Sequence, residues 1–293
     1  MSWCYLNDIH QFKILKNMPI DKINNVNIFW KLTGDKGEPL IFVHGSWGDH
    51  HNWDLVTAQL SKMFRVLTYD RRGHSQSERP TGQGYVEEDI MDLIELINHL
   101  ELSPAHIVGN SYGAGIVLKT AAKRPDLVRS LIAHEPPFFG LLKDNPDARQ
   151  ALQMVDARIK AVLDLIAAGN LEKASEEFME KIASEPGTWE KLPDEVKKTT
   201  TYNAPTFYDE MLDPQSLEFD TTTLSTFRKP ALLSTGSESP PFFRPVIESL
   251  VNAMPNAKRI TIEGAGHVPH SSHSEKYIEM VTQFCLTGDV ALQ

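Results

Sequence analysis

The alternation of short apolar runs with helical patterns constrains the fold of this chain more than any other feature of its sequence. A short apolar run is typical of a parallel strand that is buried on both faces. Helical spacing follows most of these runs, so the pattern predicts an α/β domain built on a parallel sheet. The predicted strands are residues 23–33, 39–43, 64–69, 105–108, 127–133, 231–235 and 258–262, and the predicted helices are residues 52–63, 86–100, 114–122, 245–254 and 274–284.

The alternation stops at residue 138 and resumes after residue 225. The segment between these points is mostly helix-like and contains several prolines, and residues 203–207 within it are predicted to form a turn between two helices. The simplest interpretation is one α/β core, residues 1–137 and 226–293, with a helical cap inserted at residues 138–225. Such a cap is expected to cover the ends of the strands.

Charge and composition exclude several classes of function. The 39 acidic residues outnumber the 29 lysines and arginines, and the net charge of −10 disfavours binding to nucleic acid or to anionic lipid. No apolar stretch reaches the roughly 20 residues that a membrane-spanning helix needs, and no basic segment followed by an apolar one marks a signal peptide. Cys4 and Cys285 stand near opposite ends of the chain, which predicts two free thiols. We therefore expect a cytoplasmic protein.

The candidate nucleophile is Ser111, which stands in Gly109-Asn110-Ser111-Tyr112-Gly113 between a predicted strand and a predicted helix. A serine hydroxyl is a weak nucleophile, so it needs exposure, a base and donors that stabilise an oxyanion. Flanking glycines permit the strained turn that exposes such a hydroxyl at a sheet edge. The pentapeptide alone also fits an ordinary strand-to-helix turn, but its position after a strand and before a helix favours a catalytic serine.

Two other loops supply the groups that a serine nucleophile requires. The segment His44-Gly45-Ser46-Trp47-Gly48 leaves the end of a predicted strand through a glycine-bearing turn. The backbone N–H groups of Ser46 and Tyr112 are the expected oxyanion donors. His267 follows the last predicted strand and two glycines, so its imidazole is the expected general base.

Together these segments resemble the α/β-hydrolase-fold superfamily. The matching segments occur in the family's order between residues 39 and 286, as His44-Gly45-x-x-Gly48, Asp70-Arg71-Arg72-Gly73-His74-Ser75-x-Ser77, Gly109-x-Ser111-x-Gly113 and Gly264-x-Gly266-His267. The resemblance implies a mostly parallel eight-stranded sheet with helices on both faces and an inserted helical cap. It also implies cleavage of an ester, amide, thioester, lactone or carbon–carbon bond through a serine intermediate. The segment that begins at Asp70 resembles the family's loop after the fourth strand, and we interpret it as structural.

The carboxylate of the predicted triad departs from the commonest pattern of this family. The acid usually follows the strand after the cap as Gly-x-x-Asp, whereas this chain has Gly236-Ser237-Glu238-Ser239 there. Glu238 lies in the expected loop, one position early. Glu135 ends the preceding strand, 24 residues after Ser111, at a position that resembles the acid site of haloalkane dehalogenases. We favour Glu135 and keep Glu238 as the alternative.

A serine nucleophile argues against dehalogenase and epoxide hydrolase chemistry, since members of this fold with those activities use aspartate. The expected function is a serine esterase that cleaves carboxylic esters of small to medium apolar substrates through an acyl-enzyme intermediate. Three alternatives stay open: a perhydrolase or haloperoxidase-like enzyme with the same serine triad, a carbon–carbon hydrolase or lactonase with that triad, and a non-catalytic, receptor-like binder of small molecules. Four aromatic residues are expected to line the apolar pocket, namely Trp47, Phe138, Phe139 and Phe207.

No cofactor and no metal are expected. His44, Asp49, His50 and His51 suggest a metal site as an alternative, but clustered histidines without a second matched set of ligands support one only weakly. The expected partner is a small-molecule substrate, and the sequence is compatible with a homodimer.

Overall fold

Eight strands form one sheet in the computed structural model, within the described residues 19–183 and 186–290. The strands are β1 (Ile20–Ile23), β2 (Val26–Thr33), β3 (Pro39–Val43), β4 (Arg65–Tyr69), β5 (Ala105–Asn110), β6 (Val128–His134), β7 (Ala231–Gly236) and β8 (Ala257–Ile262). Their order across the sheet is β1-β2-β4-β3-β5-β6-β7-β8. The pairs β1–β2 and β2–β4 are antiparallel and all other pairs are parallel. The predicted α/β fold with a mostly parallel sheet is confirmed.

Helices cover both faces of the sheet and also form the cap. They are α1 (Asp54–Leu60), α2 (Val86–His99), α3 (Tyr112–Lys123), α4 (Arg149–Ala167), α5 (Leu171–Phe178), α6 (Thr188–Lys191), α7 (Asp194–Leu212), α8 (Phe243–Ala253), α9 (Pro269–Ser272) and α10 (Ser274–Thr287). Successive strand residues point to opposite faces. Ile41 and Ile107 therefore pack on the side of α2, α3 and α8, whereas Leu40 and Val108 pack on the side of α1 and α10.

The first predicted strand, residues 23–33, is part of a β-hairpin in the structure. β1 and β2 pair with Ile23 opposite Val26, so Asn24 and Asn25 alone form the turn. Their φ angles are 45° and 69°, and a two-residue hairpin turn of type I′ requires positive φ at both positions. Asparagine tolerates this region better than most residues, so the Asn-Asn pair is the sequence signal for the reversal.

The segment between β6 and β7, which contains α4 to α7, packs against the core through an apolar cluster. The cluster joins cap residues such as Phe178 and Phe207 to Trp47, which belongs to the loop after β3. Since that loop leaves the carboxyl end of a parallel strand, the cap contacts the edge of the sheet where the parallel strands end.

Helix α7 continues through Pro205, although the sequence predicts a turn at this point. A proline inside a helix removes one backbone hydrogen bond and disfavours the helix. Contacts on both sides of the proline compensate, because Asn203 donates to the Gly48 carbonyl (2.9 Å) and Phe207 packs against Trp47. Tertiary contacts therefore override the local signal.

The structure also bears on the predictions from composition. Cys285 is a free cysteine, as predicted, and burial raises the pKa of its thiol to about 12, which makes it unreactive. Cys4 and the rest of residues 1–18 of the predicted core lie outside the described residues. Across the part of the chain that the structure describes, no helix is both long and apolar enough to cross a membrane.

Candidate active site

Ser111 occupies the sharp turn between β5 and α3. Its backbone has φ 55° and ψ −124°, a conformation that non-glycine residues rarely adopt and that stores strain. The Ser111 N–H donates to the carbonyl of His134 (2.9 Å), which fixes the turn against β6. The residue is half-buried and lies at the edge of the sheet where the parallel strands end.

Gly109 and Gly113 allow this turn because neither position has room for a Cβ atom. A Cβ atom at Gly109 would lie 2.3 Å from the carbonyl oxygen of Gly113, and one at Gly113 would lie 2.2 Å from the carbonyl oxygen of Val43. Both clashes are with backbone, which cannot rotate away as a side chain can. Packing of the turn therefore requires the two glycines of the Gly-x-Ser-x-Gly pattern.

His267 and Glu135 form a hydrogen-bonded pair. The His267 ring meets the carboxylate at 2.6 Å between Nδ1 and Oε2. Glu135 is fully buried and follows the end of β6 with φ 49°, a second strained position of the site. The N–H of Gly236 donates to the other carboxylate oxygen (2.8 Å), so both oxygens of Glu135 are held in place.

Glu135 carries its charge throughout the neutral pH range. Burial alone would raise the pKa of this carboxyl, but the neighbouring His134 and His267 outweigh burial and lower it to about 2. A buried carboxylate that stays ionised keeps a proton on the imidazole Nδ1 and stabilises the imidazolium that forms when the ring accepts a second proton.

Of the two candidate acids, the structure brings Glu135 and not Glu238 to His267. The side chain of Glu238 is exposed, and its backbone N–H donates to the carbonyl of Ala265 (3.0 Å). The end of β7 thus approaches the pair with the Gly236 N–H, while the carboxylate of Glu238 in the loop that follows is exposed.

The loop that carries His267 is tied to Asn110, the residue before Ser111. Asn110 Nδ2 donates to the His267 carbonyl (2.9 Å), and the His267 ring stacks on Phe243 with a centroid distance of 4.9 Å and an interplanar angle of 15°. Among the described residues, no direct hydrogen bond joins the Ser111 hydroxyl to the His267 ring. Catalytic hydrogen bonds of this kind are often long in the absence of substrate.

Residues 44–48, which we call the oxyanion loop, lie beside Ser111. A Cβ atom at Gly45 would lie 3.0 Å from the Ser111 Cβ atom. Within residues 19–183 and 186–290, neither the Ser46 N–H nor the Tyr112 N–H has a hydrogen-bond acceptor, and the Tyr112 N–H is the first of α3, where helices leave N–H groups unpaired. Both expected donors are therefore available to a developing oxyanion.

Three of the four expected pocket residues pack in closed clusters instead of lining an open pocket. Trp47, Phe138 and Phe207 are at most 3% exposed. Trp47 packs against Phe207 at 5.1 Å between ring centroids, and Phe138 stacks on Phe219 at 4.7 Å. The expectation fails for them because the same aromatic residue types serve both to pack the cap against the core and to line a substrate pocket, and the sequence does not distinguish the two roles.

Phe139, the fourth expected pocket residue, lies nearer to the hydrogen-bonded pair of His267 and Glu135. It is half-buried and packs against Phe242 and Phe243 at centroid distances of 5.1 and 5.9 Å. Since Phe243 covers the ring of His267, these aromatic side chains form an apolar wall beside the histidine.

A cluster of ionisable residues lies behind the oxyanion loop, and Asp49, His50 and Asp70 offer metal-ligating atoms within 4.8 Å of one another. One oxygen of Asp70 accepts from the backbone N–H (2.9 Å) and the Nδ1 (2.6 Å) of His50, and the other accepts from the Gln76 N–H (3.0 Å). Asp49 accepts from the Ser75 hydroxyl (3.0 Å). These hydrogen bonds fix the turns around the cluster.

Arg71, in the segment that the sequence predicts to be structural, meets Glu210 beside the oxyanion loop, and the sequence did not single out Glu210. Arg71 Nη2 donates to one carboxylate oxygen of Glu210 (2.5 Å), and the Ser46 hydroxyl donates to the other (2.5 Å). The paired arginines after Asp70 are a weak sequence signal for such an ion pair. Glu210 has no local signal, because its partner lies 139 residues away in the chain.

Comparison with known proteins gives a family match over most of the chain. The family model described as alpha/beta hydrolase fold matches residues 38–274. This range contains each of the sequence segments that resemble the superfamily, from the oxyanion loop to His267.

Two individual relatives match a smaller part of the chain than the family model does. The uncharacterized hydrolase YraK of Bacillus subtilis (strain 168) is 34% identical over 137 residues, which are 46% of this chain and 50% of that protein. The 2-hydroxymuconate semialdehyde hydrolase of Pseudomonas sp. (strain CF600) is 38% identical over 103 residues, 33% of this chain and 35% of that protein. The chain thus spans half or less of the length of these relatives. A solved structure of a thermophilic esterase from Thermogutta terrifontis has a TM-score of 0.70 and 21% identity over 90% of this chain and 95% of that chain, a likeness of fold alone.

Proposed function

The chain belongs to the alpha/beta hydrolase fold family, and from this premise we propose that it is a serine hydrolase that cleaves carboxylic esters of small to medium apolar substrates. The observation that carries the proposal is the buried hydrogen bond between Glu135 and His267 (2.6 Å), close to a serine held in a strained turn. A buried, ionised carboxylate behind an imidazole is the arrangement that makes the imidazole a base for a serine hydroxyl.

In this mechanism the Ser111 oxygen attacks the ester carbonyl carbon while His267 Nε2 accepts the hydroxyl proton. The carbonyl oxygen becomes an oxyanion, which the N–H groups of Ser46 and Tyr112 stabilise. The tetrahedral intermediate expels the alcohol, which takes the proton from His267 and leaves an acyl group on Ser111. Water then attacks the acyl-enzyme with His267 as base, and the carboxylic acid leaves. Glu135 stabilises the imidazolium in both halves of the reaction.

The apolar preference is supported by the aromatic wall beside His267. Phe243 stacks on the histidine ring, and Phe139 and Phe242 pack against Phe243. An acyl or alcohol group placed against this wall would bury apolar area without leaving polar groups unpaired.

A carbon–carbon hydrolase is the second candidate function. A lactonase is grouped with it because both would use the same triad. The observation that favours it is the 38% identity to 2-hydroxymuconate semialdehyde hydrolase, although it extends over 103 residues only. Rates with a ring-fission semialdehyde, a lactone and p-nitrophenyl butyrate separate these activities. The ester assignment requires the highest kcat/KM for the p-nitrophenyl ester.

The direct test is the hydrolysis of p-nitrophenyl acetate and butyrate by the wild type and by Ser111→Ala. We expect kcat to fall at least about 10³-fold, because the serine acts as a unit with its histidine. Ser225→Ala, at an exposed position whose hydroxyl donates to the Thr222 carbonyl (2.6 Å), is the matched control and should retain full turnover. Unchanged turnover by Ser111→Ala would exclude the proposal. Labelling of the wild type by a fluorophosphonate probe excludes the alternative of a non-catalytic binder.

A further inference from the structure

The carbonyl of Gly45 in the oxyanion loop accepts two hydrogen bonds. One comes from Nδ1 of His44 (2.8 Å) and the other from Nη2 of Arg71 (3.2 Å). The carbonyl of Gly45 and the N–H of Ser46 belong to one planar trans peptide and point in opposite directions. The two donors that hold the carbonyl therefore also set the direction of the Ser46 N–H.

The state of His44 is fixed by its surroundings. The backbone N–H of Arg71 donates to His44 Nε2 (3.0 Å), so the ring proton resides on Nδ1 and is donated to the Gly45 carbonyl. Burial, followed by the charge of Arg71, lowers the pKa of His44 to about 3. His44 is thus a neutral donor at any pH at which a serine hydrolase works.

Arg71 is buried and keeps its charge through two carboxylates. Its Nη1 donates to Asp89 (3.1 Å) and its Nη2 to Glu210 (2.5 Å). Burial alone would lower the pKa of Arg71, but Asp89 and Glu210 raise it. A guanidinium that is held from two sides has a fixed orientation. This orientation places Nη2 within hydrogen-bond distance of the Gly45 carbonyl (3.2 Å) and of His74 Nε2 (3.1 Å).

One face of the cap helix α7 contacts three successive residues of the oxyanion loop. Glu210 accepts from the Ser46 hydroxyl (2.5 Å). Phe207 packs against Trp47 at 5.1 Å between ring centroids, and Asn203 donates to the Gly48 carbonyl (2.9 Å). The positions 203, 207 and 210 follow the i, i+4, i+7 spacing of a single helix face. The helix therefore runs along the loop in the opposite direction, with one contact for each residue from 46 to 48.

We infer that this face of α7, acting through Arg71, positions the Ser46 N–H as an oxyanion donor, so that the placement of the cap controls the chemical step as well as access to the site. Arg71 and Glu210 are positioning residues in this scheme, since they touch the oxyanion loop and not the reacting atoms. The inference rests on the proposed serine-hydrolase function. It goes beyond that function because it makes the cap part of the apparatus that stabilises the transition state.

The test compares Arg71→Lys and Glu210→Gln with two matched controls. Arg72→Lys changes the adjacent arginine, whose partners are Glu88 and Asp92 and not the oxyanion loop. Arg71 reaches Asp89 through Nη1 and both Glu210 and Gly45 through Nη2. The single ammonium nitrogen of lysine cannot reproduce this planar fork, so the Arg71 variant loses the clamp. For both Arg71→Lys and Glu210→Gln we expect kcat for p-nitrophenyl acetate to fall about 10- to 100-fold, with KM changed less than about threefold. The reason is that the misplaced Ser46 N–H acts mainly in the transition state.

The second control is Asp209→Asn, which changes the acidic neighbour of Glu210 on a different face of α7. The rate of Ser111 labelling by a fluorophosphonate is measured in parallel, because phosphonylation also needs the oxyanion donors but requires no knowledge of the natural substrate. We expect the Arg71 and Glu210 variants to slow labelling about as much as they lower kcat. The control variants should stay within about twofold of the wild type in both assays.

A purely structural role predicts a different result. If Arg71 and Glu210 only hold the cap, their variants would lower the midpoint of urea unfolding and leave kcat and labelling rate, measured well below that midpoint, equal to those of the controls. That outcome would overturn the inference while Ser111→Ala still abolished turnover. Ser46→Ala keeps the backbone N–H and removes only the Glu210 contact, so a decrease in its kcat without a change in KM supports the link between α7 and the loop. Failure of the serine-hydrolase assignment is recognised separately, because Ser111→Ala would then retain activity.

Discussion

Two buried carboxylates near the reaction centre, Glu135 and Glu210, are held in opposite ways. Glu135 follows a core strand, and the neighbouring histidines lower the pKa of its carboxyl to about 2. Glu210 belongs to a cap helix, and burial raises the pKa of its carboxyl although Arg71 opposes the shift. The core therefore supplies a charge that is fixed by its own strands, whereas the cap supplies a charge that depends on a contact between two parts of the chain.

The same difference holds for the backbone around each carboxylate. In the core, Ser111 and Glu135 both adopt positive φ angles, 55° and 49°, and the neighbouring strands hold these strained turns in place. On the cap side the contacts to the oxyanion loop are made mainly by side chains of one helix face, Asn203, Phe207 and Glu210. The groups proposed to form and break bonds lie on the core, and the cap is proposed to act on their alignment.

Removal of the Glu135 charge gives the largest effect that this comparison predicts. In Glu135→Gln, the amide cannot stabilise an imidazolium and favours the wrong tautomer of His267, so kcat for p-nitrophenyl butyrate should fall about 10³- to 10⁴-fold. Steady-state rates at pH 7.5 provide the measurement. Glu238→Gln is the matched control, since Glu238 is exposed, and its kcat should stay within about twofold of the wild type. A larger loss in Glu238→Gln than in Glu135→Gln would assign the triad acid to the loop after β7.

The core half of the site could be predicted from the sequence because its signals are local. Ser111 stands between two glycines whose absent side chains make room for backbone, and its neighbours in sequence are its neighbours in space. The oxyanion loop and His267 each follow a strand, so the ends of parallel strands bring them to one edge. The sequence favours Glu135 over Glu238 but leaves both open, because both follow strands that end at that same edge, and only the coordinates show which carboxylate meets His267.

The cap half could not be predicted for two physical reasons. Glu210 and Arg71 are 139 residues apart, and no local pattern reports such a pair. Pro205 indicates the end of a helix, yet α7 continues because its contacts with the core outweigh the lost hydrogen bond. Trp47 and Phe207 are aromatic, as pocket residues often are, but they pack the cap against the oxyanion loop.

A methyl group at Gly113 should destabilise the fold of the core half. The expected loss in the free energy of unfolding is somewhat smaller than the loss in activation free energy expected for Glu135→Gln. In Gly113→Ala the new Cβ would lie 2.2 Å from the Val43 carbonyl oxygen, so the free energy of unfolding should fall by about 3 kcal/mol. Urea unfolding followed by circular dichroism measures the change. Gly115→Ala, two positions further along α3, places its Cβ 3.4 Å from the Phe138 ring and should shift stability by about 1 kcal/mol at most. Equal effects of the two substitutions would show that the turn between β5 and α3 can accommodate a Cβ atom at Gly113, contrary to this prediction.

The dependence of stability on pH should have opposite signs for Glu135 and for Asp89, the other buried partner of Arg71. Burial raises the pKa of Asp89 from 3.8 to about 7, so the folded state retains a proton that the unfolded state loses as pH rises between these values. Asp89 therefore lowers stability progressively from about pH 4 to pH 7. The pKa of Glu135 is lowered from 4.5 to about 2, so its stabilising contribution is present above pH 4.5 and is lost as pH falls toward 2.

Urea unfolding of the wild type, Asp89→Asn and Glu135→Gln at several pH values between 3 and 8 tests this difference in sign. The free energy of unfolding of Asp89→Asn, relative to the wild type, should increase by about 1–2 kcal/mol as pH rises from 4 to 7. That of Glu135→Gln should decrease relative to the wild type as pH rises from 3 to 5, because only the wild type gains the ionised carboxylate. Parallel curves for the two variants would contradict the opposite signs expected for a carboxyl whose pKa is lowered, Glu135, and one whose pKa is raised, Asp89.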